Sequence, residues 1–178
     1  MNLRPREPRD SSGEGQSQGS EVVASLEAIS ARQANLEPKA HILVVEDNPF
    51  VREGLVKLLN RQNDLLCCGE ADSIASAPNV MAEQKPSLVL LDLRLKDGEA
   101  FELIGILRRQ SPMVPILVLS QSDEGLYAEK VLRVGAQGYI MKQEAAGELL
   151  HAIRTVLLGR IYASPAMARR LPRELYPS

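Results

Sequence analysis

Gly135-Ala136-Gln137-Gly138-Tyr139-Ile140-Met141-Lys142 reads as a helix stop, a short loop, a buried strand, and a lysine delivered at the strand's C-terminal end. In an open α/β sheet, that end is where ligands sit. Two other apolar runs bring acidic residues to the same kind of position. Ile42-Leu43-Val44-Val45 leads into Glu46-Asp47, and Leu88-Val89-Leu90-Leu91 leads into Asp92. Three carboxylates and one ammonium at strand ends describe a site for a metal ion and a phosphoryl group.

Working outward, the chain from Ala40 onward repeats an apolar run followed by a helical pattern five times. The expected strands are His41–Val45, Asp64–Glu70, Ser87–Asp92, Pro115–Ser120 and Gln137–Met141. The expected helices are about Pro49–Arg61, Ser73–Gln84, Ala100–Gln110, Asp123–Val134 and Glu144–Leu158. Asn48 caps the first helix, with Pro49 in its first turn. Ser73 opens the second, Ser122 or Asp123 caps the fourth, and Gly135 supplies a left-handed stop. The central strands are apolar without alternation, the pattern of strands covered on both faces. This predicts an α/β, flavodoxin-like, doubly wound five-stranded parallel sheet of order 2-1-3-4-5, with helices on both faces.

Residues 1–38 differ in composition. Arg4 to Asp10 is charged and broken by proline, and Ser11 to Ser20 has no apolar residue. Such a segment cannot bury enough surface to offset its chain entropy. From Glu21 to Leu36 a short amphipathic helix, capped by Ser20, competes with an unfolded linker ending at Pro38; the linker is the favoured reading. The expected organisation is an extension over 1–38, a domain over 39–160, and a tail or short linker helix over 161–178.

Composition narrows the function. A hydrophobic content of 44% supports a core, and two Phe, four Tyr and no Trp make it aliphatic. A net charge of −2 gives no electrostatic case for nucleic-acid binding by the chain as a whole. No apolar stretch reaches bilayer length and no signal peptide opens the chain, so a cytoplasmic protein without membrane contact is expected. Cys67 and Cys68 are adjacent and read as two buried apolar thiols in a reducing compartment.

In this topology the tips after Val45, Leu91 and Leu119 are neighbours, bringing Glu46, Asp47, Asp92 and Ser120 together, with Lys142 beside them. Crowded carboxylates repel unless a cation neutralises them, and a hard divalent ion such as Mg²⁺ suits oxygen ligands. Asp92, at the tip of a central strand, is the candidate nucleophile for an aspartyl phosphate. Lys142 would stabilise charge on the phosphoryl oxygens, and Ser120 would donate a hydroxyl hydrogen bond. His41 and His151 lack metal-type partners and read as structural or exposed. Arg169-Arg170 reads as the solvated end of a last helix.

Residues about 40 to 160 resemble the receiver domain of a bacterial two-component response regulator. The resemblance rests on Val-Val-Glu46-Asp47-Asn48, Leu-Leu-Asp92-Leu-Arg-Leu-Lys-Asp-Gly98, Leu119-Ser120 and Gly138-Tyr139-Ile140-Met141-Lys142, in that order and spacing. Leu132 to Tyr139 and Gly159 to Pro165 resemble the NarL/LuxR type in particular. The chain is too short after its last helix for the helix-turn-helix output domain normal to that type.

The resemblance implies a histidine kinase as phosphodonor, with Asp92 as phosphoacceptor. It implies Mg²⁺ held by Glu46, Asp47, Asp92 and the backbone carbonyl of Arg94, with Glu46 acting directly or through water. It further implies Ser120 and Tyr139 as a switch pair acting on a dimer or downstream partner surface. Arg94 and Ser122 stand where the family tunes phosphate lifetime. Gln143 and Lys96 stand where proline is common. Tyr139 as a half-buried strand aromatic competes with its switch role, and Ser120 as a turn serine competes with its own.

The expected function is phosphorelay signalling by a phosphoacceptor, not an enzyme in the ordinary sense. The alternative is the regulatory fragment of a DNA-binding transcription regulator. A haloacid-dehalogenase-type phosphohydrolase needs a second acid two residues after the nucleophile, where Arg94 stands. No glycine-rich fingerprint follows the first strand, which argues against a dinucleotide site.

Overall fold

The computed structural model describes residues 38–121, 124–144, 146–169 and 171. Among the described residues there are seven strands: β1 (Ala40–Val45), β2 (Leu65–Ala71), β3 (Leu88–Asp92), β4 (Arg94–Leu95), β5 (Gly98–Glu99), β6 (Ile116–Ser120) and β7 (Gly138–Met141). The helices are α1 (Pro49–Asn60), α2 (Ala77–Gln84), α3 (Ala100–Gln110), α4 (Glu124–Arg133), α5 (Ala146–Leu157) and α6 (Pro165–Ala168). The main sheet is parallel with order β2-β1-β3-β6-β7, which is the expected 2-1-3-4-5 by position. β4 and β5 form a small antiparallel hairpin. The readings at Ser20, over 21–36, at Ser122 and Asp123, and at Arg170 lie outside the described residues.

Burial explains the unbroken apolar runs. Every residue of β3 and β6 is buried. Leu43, Val45, Val89, Leu91 and Val118 face one layer with α2, α3 and α4. Ile42, Val44, Leu88, Leu90 and Leu119 face the other with α1 and α5. Alternate strand residues thus enter two separate cores, so neither face tolerates polar positions.

The element ends follow their capping chemistry. Asn48 Oδ1 accepts from the N–H groups of Phe50 (3.0 Å) and Val51 (3.3 Å), with Pro49 in the first turn of α1. After α4, Gly135 N donates to Leu132 O (3.0 Å) and Ala136 N to Val131 O (3.2 Å). This paired closure needs a left-handed residue, and Gly135 supplies it with φ +109°.

Three expectations need correction. The second helix begins at Ala77, not Ser73. Residues 73–76 form a turn instead, because Asp97 accepts from the N–H groups of Ile74 (2.9 Å) and Ala75 (3.1 Å). The cysteines are half-buried rather than buried, since β2 is an edge strand. Cys68 falls at a register shift in β2, between the pairs Ile42–Cys67 and Leu43–Gly69. Tyr139 is fully buried rather than half-buried, because the chain after Gly159 returns over β7.

That return runs through Tyr162, which pairs in parallel with Gly138. Tyr162 N donates to Gln137 O (2.9 Å) and Tyr139 N to Tyr162 O (3.3 Å). Ser164 Oγ caps α6 through Met167 N (3.2 Å), and Ala163, Met167 and Leu171 are buried in the layer that holds α4. Residues 161–169 and Leu171 therefore pack as part of the folded unit.

Candidate phosphoryl and metal site

The strand ladders extend one residue past three strand tips and fix the candidate side chains there. Glu46 N donates to Ala71 O (3.0 Å), Leu93 N to Leu119 O (2.8 Å), and Lys142 N to Ser120 O (2.7 Å). Glu46, Asp92 and Lys142 thus leave the sheet from backbone held by inter-strand hydrogen bonds, not from free loops.

Their side chains meet. Lys142 Nζ lies 2.7 Å from Glu46 Oε2 and 2.8 Å from Asp92 Oδ2. The other oxygen of each carboxylate takes a backbone donor: Arg94 N reaches Asp92 Oδ1 (3.2 Å) and Asn48 N reaches Glu46 Oε1 (3.3 Å). Asp47 is half-buried beside them, and one carboxylate oxygen each from Glu46, Asp47 and Asp92 lie within 4.8 Å of one another. Among the described residues this is the one cluster of metal-ligating side chains. It opens into a cavity of about 430 Å³ that Arg94, Ser120 and Lys142 also line.

Burial and the pairing of opposite charges set the electrostatics of the cluster. Glu46 is almost wholly buried, and that burial, with the charge of Asp92, raises its carboxyl above the usual range against the pull of Lys142. For Lys142, burial is the largest single influence and lowers its pKa. Its hydrogen bonds and charge interactions with Asp92 and Glu46 together outweigh that, so the ammonium titrates above its ordinary value. Three converging oxygen donors on a small, partly open cavity fit a hard divalent ion that keeps some of its waters.

The predicted residues Glu46, Asp47, Asp92, Ser120 and Lys142 are all brought to one cavity. Arg94 lines it as well, with its N–H turned to Asp92. Tyr139 lies in the core, away from this lining.

Sequence reasoning missed several supports. Arg52 donates to the carbonyl of Glu46 (2.7 Å) and pairs with Glu70 (3.1 Å), holding the acidic loop to β2. Lys96 pairs with Asp72 and Asp97 caps the turn after β2, so the loop following Asp92 is tied to its neighbour at two points. The backbone N–H groups, that of Ile74 first, hold the Asp97 carboxyl below its usual range. Asp97-Gly98 carries an ordinary turn signal, and nothing local marks a partner more than twenty residues away.

An acidic cluster with a lysine at the carboxyl edge of a 2-1-3-4-5 sheet places the chain in the class of doubly wound α/β domains with a ligand site at the strand ends. Residues 42–154 match the family described as the response regulator receiver domain, and the chain belongs to that family. It is 32% identical over 130 residues to Response regulator GacA of Pseudomonas viridiflava, covering 73% of this chain and 61% of that protein. It is 36% identical over 135 residues to Oxygen regulatory protein NreC of Staphylococcus aureus strain JH9, covering 75% and 62%. Among solved structures it is similar to a LuxR-family two-component response regulator from Aurantimonas sp. SI85-9A1. That likeness has a TM-score of 0.71 and 31% identity, covering 77% of this chain and 98% of that one. The chain spans about six-tenths of the length of the curated relatives it matches. Among the described residues, no helix is long and apolar enough to cross a membrane.

Proposed function

We propose that this receiver takes a phosphoryl group on Asp92 from a sensor histidine kinase, with Mg²⁺ held by Glu46, Asp47, Asp92 and the carbonyl of Arg94. The observation that carries this reading is the convergence of Lys142 on both Glu46 and Asp92, beside the three-carboxylate cluster. When bound, the ion neutralises the carboxylates and draws charge from the phosphoryl oxygens.

Asp92 is oriented for attack because Lys142 and the N–H of Arg94 each hold one of its oxygens. A new bond forms from a carboxylate oxygen of Asp92 to phosphorus. The bond from phosphorus to the donor's histidine nitrogen breaks, and its electron pair stays on that nitrogen. Lys142 keeps its proton, since its carboxylate partners favour the ammonium. It then follows charge from the carboxylate to the phosphoryl oxygens. Ser120, buried at the tip of β6, donates its hydroxyl hydrogen to a phosphoryl oxygen. Tyr139 already sits inside, and the phosphoryl group stabilises that inward position and the packing of β7 against α4. The altered surface acts on a second copy or a downstream protein in the cytoplasm. Turnover is limited to slow self-hydrolysis.

The test is incubation of the full chain with Mg²⁺ and acetyl phosphate. Intact mass should show one added phosphoryl group, which Asp92→Asn abolishes. Modification persisting in that variant would refute the assignment. A second reading is a regulatory part of a DNA-binding transcription regulator. It is supported by the greater length of the relatives, and the longer reading frame would decide it.

A further inference from the structure

The geometry points to the Arg94 side chain as a phosphoryl-binding latch: it holds Tyr127 of α4 while Asp92 is free and moves to the phosphoryl oxygens once Asp92 is charged. The inference rests on the phosphoacceptor reading above and adds a second connection from the site to α4, separate from Ser120 and Tyr139.

Two cations line the cavity, Lys142 and Arg94. Lys142 is already committed to Glu46 and Asp92. Nearby Arg52 is committed to Glu70 and the Glu46 carbonyl, and Lys96 to Asp72. Among the described residues Arg94 alone of these four makes no close ion pair, although Glu99 and Asp92 act on it at longer range. Its Nη2 donates instead to the phenol of Tyr127 (Oη, 3.4 Å). That bond is exposed and long, so it is worth less than a contact to a phosphoryl group.

Phosphorylation changes the competition. One carboxylate charge is replaced by about two on a group with three acceptor oxygens. The new group stands at the end of the same two-residue step that already joins Arg94 N to Asp92 Oδ1. A planar guanidinium matches phosphoryl oxygens bidentately, and an acceptor that itself carries charge holds it more strongly than a phenol does. Arg94 therefore leaves the phenol for the phosphoryl group. Tyr127 stacks on Phe101 of α3 (ring centroids 6.5 Å apart), and Lys130 of α4 lies 5.1 Å above the Phe101 ring. Release of Tyr127 thus loosens the α3–α4 contact at the surface next to the site.

The test uses beryllofluoride with Mg²⁺ as phosphoryl mimic on the full chain, with binding read from the fluorine NMR signal of the bound ion. Arg94→Gln should weaken binding about tenfold, as loss of a charged contact worth about 1.4 kcal/mol would. Tyr127→Phe should strengthen it a few-fold, because the competing acceptor is gone. The double variant should match Arg94→Gln alone. The inference is overturned if Tyr127→Phe leaves affinity unchanged or lowers it, or if its gain persists when Arg94 is absent. Wild type that binds no beryllofluoride, with acetyl phosphate also adding no mass, would instead remove the phosphoacceptor reading and the latch with it. Bound mimic with the wrong pattern in the variants removes only the latch.

Discussion

The sheet has two edge strands, and the molecule finishes them in opposite ways. Among the described residues β2 is open: Leu66 is 36% exposed, the register shifts at Cys68, and Glu70 meets Arg52 at the surface. Shifts of this kind and charged side chains are common on free edges, where they discourage further pairing. β7 is covered by its own chain. Tyr162 adds a bridge beside Gly138, and Ala163, Met167 and Leu171 close over the layer that holds Tyr139. An edge treated this way becomes interior, and the lysine at its tip is held in a buried cluster. The open edge carries an ion pair that water screens; the covered edge carries one that water does not.

The sharpest way to break this contrast is truncation on each side. Met167→Ala should cost about 2–5 kcal/mol, the range for a buried large side chain. Leu66→Ala should stay within about 0.5 kcal/mol, as for a partly exposed position. Urea unfolding of both variants measures this, and equal losses would mean that the return segment does not belong to the core.

The second prediction concerns the buried cluster. Burial raises the Glu46 pKa in the fold, so its contribution to stability is present below the ordinary carboxylate range and lost as pH rises through the folded value. A divalent ion favours the ionised form and should reverse that loss. Mg²⁺ at about 100 times its dissociation constant should add about 2.7 kcal/mol near neutrality. The gain should shrink as protons occupy Glu46 at lower pH. Melting curves with Mg²⁺ or a chelator across pH check this, and a gain that grows on acidification would contradict it.

A third comparison adds one methyl group to each edge. A Cβ at Gly138 would stand 2.7 Å from Leu117 Cδ1 and 3.2 Å from the Tyr162 carbonyl. Gly138→Ala should cost about 1–3 kcal/mol by overpacking. At Gly69 the neighbours are Val80 Cγ1 (2.8 Å) and Gln84 Cγ (3.0 Å) of α2, beside an open edge. Gly69→Ala should therefore cost less, since the helix can shift outward. Thermal melts rank the two, and the reverse order would deny that β7 is boxed in.

The smallest effect is at the foot of β2. Arg154 of α5 pairs with Asp64 (2.7 Å), and that bond lowers the Asp64 pKa. A depressed folded pKa stabilises above the ordinary Asp range, and the contribution is lost as pH falls through the folded value. Both side chains are about half exposed, so the pair is worth no more than about 1 kcal/mol. Wild type and Arg154→Gln should differ near neutrality and converge in acid. A difference independent of pH would assign Arg154 a packing role instead.

Much of this was legible from residues. The runs before Glu46, Asp92 and Ser120 are apolar on both parities, and only a doubly covered parallel sheet uses such strands. Asn48-Pro49 and Gly135 announced their helix ends through local chemistry. The start of α2 was not legible, because Asp97 decides it from another loop. Nor was the burial of Tyr139, which depends on a segment more than twenty residues later folding back across β7. The Arg94–Tyr127 contact joins elements whose spacing in the chain carries no shared pattern.

The chain alone determined which residues end each strand, since hydrophobic period and turn chemistry act over a few residues. It thereby determined that three carboxylates and a lysine would share one sheet edge. Tertiary structure decided how they are paired, which cation bonds to a phenol, and which edge of the sheet is sealed. Those outcomes depend on distances between distant segments, set by packing once the whole domain has closed.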